Sequence, residues 1–170
     1  MLRRNCVQGK PRPAATAGEA ISRMDQYVAL GVIGQQEVAQ LLGINVTDLT
    51  CLGHVLGAGE TPLSAGELAE LTNLTTGAVT GVLNRLERAG YAHRRPDPGD
   101  RRRVRVVADP SGAARIFAVY QPFYDRLGSV FAEYTPDEVA VIADWFGRAA
   151  VEARAHLAQV RSGELGPLTP

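Results

Sequence analysis

The sequence predicts a mainly α-helical fold carrying one small β-hairpin, and three observations predict it. Apolar residues recur at spacings of three and four through most of the chain. Two capping boxes, Ser64-Ala-Gly-Glu67 and Thr135-Pro-Asp-Glu138, mark helix starts in which a hydroxyl and a carboxylate exchange hydrogen bonds with backbone amides. A single segment, Tyr91 to Val107, alternates instead, around Pro96-Asp-Pro-Gly-Asp-Arg101. With 170 residues, 45% of them apolar, the chain can bury a core without disulfides. No stretch approaches the roughly 18 uninterrupted apolar residues of a membrane span.

Residues 1–17, with Pro11 and Pro13 among small residues, lack periodicity and read as a flexible arm. Positive charge at the start is followed by no apolar stretch, so an export signal is not expected and the chain is placed in the cytoplasm. From Gly18 to Leu42, the residues Ile21, Met24, Val28, Val32, Val38, Leu41 and Leu42 mark one helix face, stopped by Gly43. Asn45 or Asp48 then caps a short helix with Leu49, Leu52, Val55 and Leu56, closed by Gly57 and Gly59. Ser64 opens a third helix with Leu68, Ala69 and Leu71. After Thr72-Asn-Leu74, Thr75 caps a fourth, which puts Val79, Val82, Leu83 and Leu86 on one face and Thr76, Thr80, Asn84 and Arg85 on the other. Two helices joined by a three-residue turn, the second apolar on one side and small and polar on the other, form a helix-turn-helix pattern. The alternating segment adds a hairpin wing. Asp109-Pro110 starts a helix carrying Ile116, Val119, Tyr120, Phe123, Leu127 and Val130. On the last helix Val139, Ile142, Phe146, Ala149, Ala153, His156 and Val160 step by three and four like a coiled-coil seam. Residues 162–170 form a tail.

Charge is distributed unevenly. Basic and acidic residues number 18 each, yet between Arg85 and Arg105 eight arginines (85, 88, 94, 95, 101, 102, 103 and 105) meet three acids (Glu87, Asp97 and Asp100). The block carries +5 and the remainder −5. A basic block on an otherwise acidic chain is the footprint of a surface that meets phosphates. A solvated charged face is the plainer reading, and the neighbouring helix-turn-helix pattern decides against it.

Enzyme chemistry is disfavoured. The sequence has no phosphate-cradling glycine loop, no HExxH, no nucleophile elbow and no clustered Cys/His set, and Gly57-Ala-Gly59 follows a helix where a nucleotide loop follows a strand. No catalytic residue, cofactor or metal is expected. Cys6 and Cys51 are too few for a disulfide framework; Cys51, beside Leu52, reads as a buried structural thiol, and no redox role is assigned to either. His156 reads as a packed seam residue, and neither His54 nor Trp145 is assigned a ligand. Double-stranded DNA fits better. A helix enters the major groove, where small hydroxyl and amide groups reach base edges, and Thr75, Thr76, Thr80 and Asn84 have that placement. Gly77 and Gly81 each cost about 1 kcal/mol relative to Ala, a cost that close approach to a neighbouring helix or to the sugar-phosphate backbone can offset. Arg101, Arg102 and Arg103, at the turn of the wing, can enter the minor groove.

The block from Asp48 to Val107 resembles the MarR family of bacterial transcription regulators. The resemblance is carried by Asp48-Leu-Thr50, by Leu63-Ser-Ala-Gly-Glu-Leu-Ala-Glu-Leu71, by the run from Leu74 to Tyr91, and by Asp97-Pro-Gly-Asp-Arg-Arg102. It covers about a third of the chain. It implies a winged helix-turn-helix homodimer in which the first and last helices interlock, with a small effector binding between that interface and the DNA-binding lobe. On that reading residues 18–44 are a dimerisation helix, 45–108 the DNA-binding domain and 109–161 the C-terminal dimerisation helices. Ser64, Thr75, Thr76, Gly77, Thr80, Asn84 and Arg85 face the duplex, Arg101 or Arg102 enters the minor groove beside Arg103, and Asp100 holds the wing. Ile21 and Met24 join Val139, Ile142, Phe146, Ala149, Ala153 and Val160 at the dimer interface. Val107-Ala-Asp109 departs from the Leu-Thr usual after the second wing strand. The function expected is a repressor on a pseudo-palindromic operator, released by a small apolar or aromatic effector. A winged-helix module gripping an acidic protein partner is the alternative.

Overall fold

Local capping chemistry sets where most of the helices begin. The computed structural model describes residues 12–97, 99–100 and 103–164. Its elements run α1 (Ala17–Leu41), α2 (Val46–Gly57), α3 (Ala65–Thr72), α4 (Thr76–Arg88), β1 (Ala92–Pro96), β2 (Val104–Ala108), α5 (Pro110–Phe131) and α6 (Pro136–Ser162). Asn45, and not Asp48, caps α2: its side-chain oxygen accepts from the Asp48 N–H at 2.8 Å. Ser64 and Thr135 make the two expected capping boxes, and Thr75 caps α4. A third box, Thr16 with Glu19, starts α1 one residue earlier than the periodicity predicts, because the residues around it are small and give no apolar signal.

Residues Ala14 to Phe123 form one compact unit. Its core joins Leu49, Leu52 and Val55 of α2, Leu68 of α3, Val79, Val82, Leu83 and Leu86 of α4, Tyr91, Val106 of β2 and Ile116 of α5, all buried. Each large side chain so placed contributes about 1.5–3 kcal/mol by leaving water. Asn73, in the left-handed region at φ 55°, turns the chain between α3 and α4, a conformation Asn tolerates better than most residues. The hairpin is antiparallel, with Ala92 opposite Ala108 and Pro96 opposite Val104. Ser64 adds an isolated bridge to Arg105, and the Val106 N–H donates to the Leu63 carbonyl at 2.7 Å, which joins the entry of α3 to the wing.

Among the described residues, the second unit comprises residues 12–13 and 124–164. Here Arg12, within the stretch expected to be a flexible arm, stacks 3.7 Å from the Tyr134 ring centroid, pairs with Glu138 at 2.6 Å and donates to the Glu133 carbonyl at 2.8 Å. The helix α6 buries none of its residues, although it is 27 residues long and capped at both ends. Among the described residues no helix is long and apolar enough to cross a membrane.

Candidate nucleic-acid interface

The recognition face is built on α4. Its apolar stripe is pinned to the core, so Thr76, Gly77, Thr80 and Asn84 are turned outward and exposed. Thr75 spends its hydroxyl oxygen accepting from the Ala78 N–H at 3.2 Å, which leaves its O–H to donate. Thr80 donates its hydroxyl to the Thr76 carbonyl at 2.9 Å. That contact fixes its rotamer and keeps oxygen lone pairs and a methyl group on the surface.

Ionic links aim the remaining parts. Arg85, expected to face DNA, is exposed and also has an internal partner: its guanidinium donates to both oxygens of Asp48, with the closest contact at 2.6 Å, and Asp48 is 1% exposed. Burying a carboxylate requires a partner, and Arg85 supplies it, so this arginine ties α4 to α2 and its own pKa is raised by the carboxylate. Arg94 pairs with Glu87 and donates to the Thr80 carbonyl at 3.3 Å. Arg105 reaches Asp97 at 2.6 Å, Glu67 at 2.9 Å and the Pro62 carbonyl at 3.2 Å. Three of the eight arginines in the basic block are thus ion-paired within the protein, Arg85 while still exposed. Arg88, Arg95 and Arg103 are exposed too. Arg101 and Arg102 lie outside the described residues.

Asp97 organises the wing. Its carboxylate takes the Arg105 guanidinium on one oxygen and the N–H groups of Gly99 (2.7 Å) and Asp100 (3.3 Å) on the other. These donors, Arg105 first, hold its carboxyl below the usual range. Asp100, the residue expected to hold the wing, meets Arg103 at 3.8 Å, and its carbonyl accepts the Arg103 N–H at 2.8 Å. Ser64 bonds reciprocally with Glu67, whose carboxyl is lowered first by the Ser64 N–H and then by its hydroxyl. Sequence reasoning missed Asp97, Arg105 and the Asp48–Arg85 pair. Only Asp97 carried a local signal, an Asp two residues before a glycine at the wing turn.

Outside this face, Cys51 is fully buried and burial pushes its thiol pKa up, the setting of a structural cysteine. Ile21, Phe146 and Val160 of the expected interface set are about half exposed, Met24, Val139, Ile142 and Ala149 are intermediate, and Ala153 is exposed. Among the described residues no group of three or more His, Cys, Asp or Glu side chains could hold a metal ion.

A helix-turn-helix whose second helix shows a fixed polar face, flanked by an arginine-bearing hairpin, defines a winged helix-turn-helix DNA-binding protein. Residues 42–103 match the family model described as MarR family. The chain is 40% identical over 119 residues to the HTH-type transcriptional regulator YcgE of Bacillus subtilis, covering 70% of this chain and 76% of that one. It is 35% identical over 103 residues to the multiple antibiotic resistance protein MarR of Salmonella typhimurium, covering 59% and 69%. S. aureus MepR shares the fold: a mutant bound to an oligodeoxyribonucleotide superposes with TM-score 0.54 at 17% identity, covering 82% of this chain and 99% of that one. Bound to ethidium bromide, MepR gives TM-score 0.58 at 16% identity, covering 82% and 97%. The chain belongs to the MarR family of transcription regulators and is not an enzyme.

Proposed function

We propose that the chain acts in the cytoplasm as a homodimeric repressor that lays α4 of each copy in successive major grooves of a pseudo-palindromic operator. The observation that carries this reading is the two-sidedness of α4: Val79, Val82, Leu83 and Leu86 are at most 2% exposed while Thr76, Thr80 and Asn84 face outward. Polar side chains held on a rigid helix are what base-edge readout needs. Ser64, Thr75 and the close approach allowed by Gly77 serve the backbone, and Arg101, Arg102 and Arg103 serve the minor groove. Asp100 and Asp97 hold the wing.

Pairing is supported by apolar surface that a lone chain leaves wet. Ile21, Val28, Leu30 and Val32 on α1, and Val141, Trp145, Phe146, Val151, Leu157 and Val160 on α6, are 41–69% exposed. Soluble monomers rarely leave such a surface uncovered, and a second copy interlocking α1 and α6 covers it, with the two recognition helices about 34–36 Å apart, one duplex turn. Occupying an operator excludes other proteins from it, which makes repression the simplest outcome. Release by a small apolar or aromatic effector is supported by the likeness to MepR, solved bound to ethidium bromide.

The test is fluorescence anisotropy with duplexes tiling the intergenic DNA upstream of the chain's own gene. One tile should bind at least about a thousandfold more tightly than random duplex at matched salt. Equal affinity for every tile would overturn specific readout, and no duplex binding together with capture of an acidic protein would favour the interaction-module reading.

A further inference from the structure

The C-terminal end of α4 sits in a joint that the recognition face does not use. Tyr91, 1% exposed, is its centre. Its N–H donates to the Leu86 carbonyl at 2.9 Å, its carbonyl accepts the Asp109 N–H at 2.9 Å, and its hydroxyl donates to the Leu42 carbonyl at the end of α1 at 2.8 Å. From α5, the Arg115 guanidinium lies 4.1 Å over the Tyr91 ring and donates to the carbonyls of Ala89 (2.8 Å) and Gly90 (3.2 Å). A cation there meets the negative end of the α4 dipole and caps carbonyls that no helical N–H satisfies. Gly112 of α5 closes the joint: a Cβ at that position would stand 2.6 Å from both the Gly90 oxygen and the Tyr91 Cα. Gly90 itself turns at φ 69°.

We propose that Arg115 is a positioning residue for DNA recognition, which fixes the angle of α4 relative to α1 and α5 and thereby the half-site spacing the dimer accepts. The proposal rests on the operator-binding dimer above. The chain path from α4 to α5 runs through the whole hairpin, so a rigid angle needs a direct strut. Arg115 provides one from α5, and the Tyr91 hydroxyl provides another from α1. Helix α1 carries apolar surface assigned to pairing, and α5 exposes Phe117 as well, so the joint is the pivot between the pairing side of the lobe and the reading helix. A loosened pivot lets the two copies of α4 adapt to a longer separation, while the side chains that read bases and phosphates stay the same.

The experiment selects a site from a random duplex library with the wild-type protein, then compares it with the same site lengthened by one central base pair, a shift of about 3.4 Å. The affinity ratio between the two duplexes, the salt slope and the unfolding midpoint are measured for the wild type and for Arg115→Met, Arg115→Lys and Tyr91→Phe. Arg115→Met should lower the ratio at least about threefold with the salt slope unchanged, in the range of remote coupling effects. Arg115→Lys, which keeps the cation, should restore part of it, and Tyr91→Phe should lower the ratio less. Ratios equal to wild type in the Lys and Phe variants, and in Met wherever it is folded, would overturn the positioning role even if midpoints fall. If the wild type selects no duplex, the DNA-binding reading fails and the proposal fails with it.

Discussion

Helices α4 and α6 are both regular and capped, and they differ in what they bury. The 13 residues of α4 place four side chains in a shared core, whereas the 27 residues of α6 bury none. Helical propensity and capping are enough to shape α6, but its apolar seam is unsatisfied within one chain. The lobe around α4 carries its own packing energy, and α6 leaves its apolar side chains at least partly exposed.

Core truncation should break this contrast most strongly. Leu83→Ala, at a 2% exposed position, should cost about 2–5 kcal/mol, the range for a buried large-to-small change, and lower the melting point of the lobe. Phe146→Ala on α6 should instead shift a sedimentation profile from dimer toward monomer while the α4 lobe keeps its near-ultraviolet signal. A melting loss from Phe146→Ala that does not vary with protein concentration would contradict the assignment of α6 to pairing.

Next in size is Asp48→Asn. It removes the charge from a buried carboxylate that three Arg85 contacts satisfy, at about 1.5–3 kcal/mol for a charged hydrogen bond, read by denaturant unfolding. Arg85→Lys should recover little of the bidentate geometry. If Arg85→Ala leaves stability unchanged but weakens duplex binding, Arg85 belongs to the DNA face after all.

A smaller effect should appear in acid. The carboxyls of Asp97, Glu67, Glu19 and Glu138 all lie below their ordinary values in the folded chain. The folded state therefore binds their protons less readily than the unfolded state. Their stabilisation is complete above the usual carboxylate range and is lost as pH falls through the lowered values. The melting point should be flat from neutral to about pH 5 and fall below that. Asp97→Asn should flatten part of the decline, and an identical acid slope would sink the wing assignment.

The smallest effect separates the two grooves. Arg102→Ala should reduce the salt slope of duplex binding by about one, whereas Thr80→Ala should change sequence preference and leave the slope alone. Identical operator selectivity in Thr80→Ala would count against base readout.

What could be read in advance follows the range of the interactions. The starts at Asn45, Ser64, Thr75 and Thr135 depend on partners three residues away, and the apolar stripe of α4 repeats within its own length, so sequence shows both. The hairpin also showed, through alternation and its turn residues. Arg85 looked like part of the polar face because its partner, Asp48, lies 37 residues earlier. Arg105 looked like one more cation for phosphate because Glu67 and the Pro62 carbonyl are distant in sequence. Counting arginines did not show that folding pairs Arg85, Arg94 and Arg105 with carboxylates of the same chain. The joint at Tyr91 and Gly112 gave no warning, because a glycine on a helix signals close approach only once the approaching backbone is known.

Sedimentation of the protein with a saturating labelled duplex carrying the selected site tests the central claim most directly. Two chains per duplex, with the complex dispersing as salt is raised, is the predicted result. One chain per duplex, or a protein that stays monomeric and unbound at micromolar concentration, would contradict it.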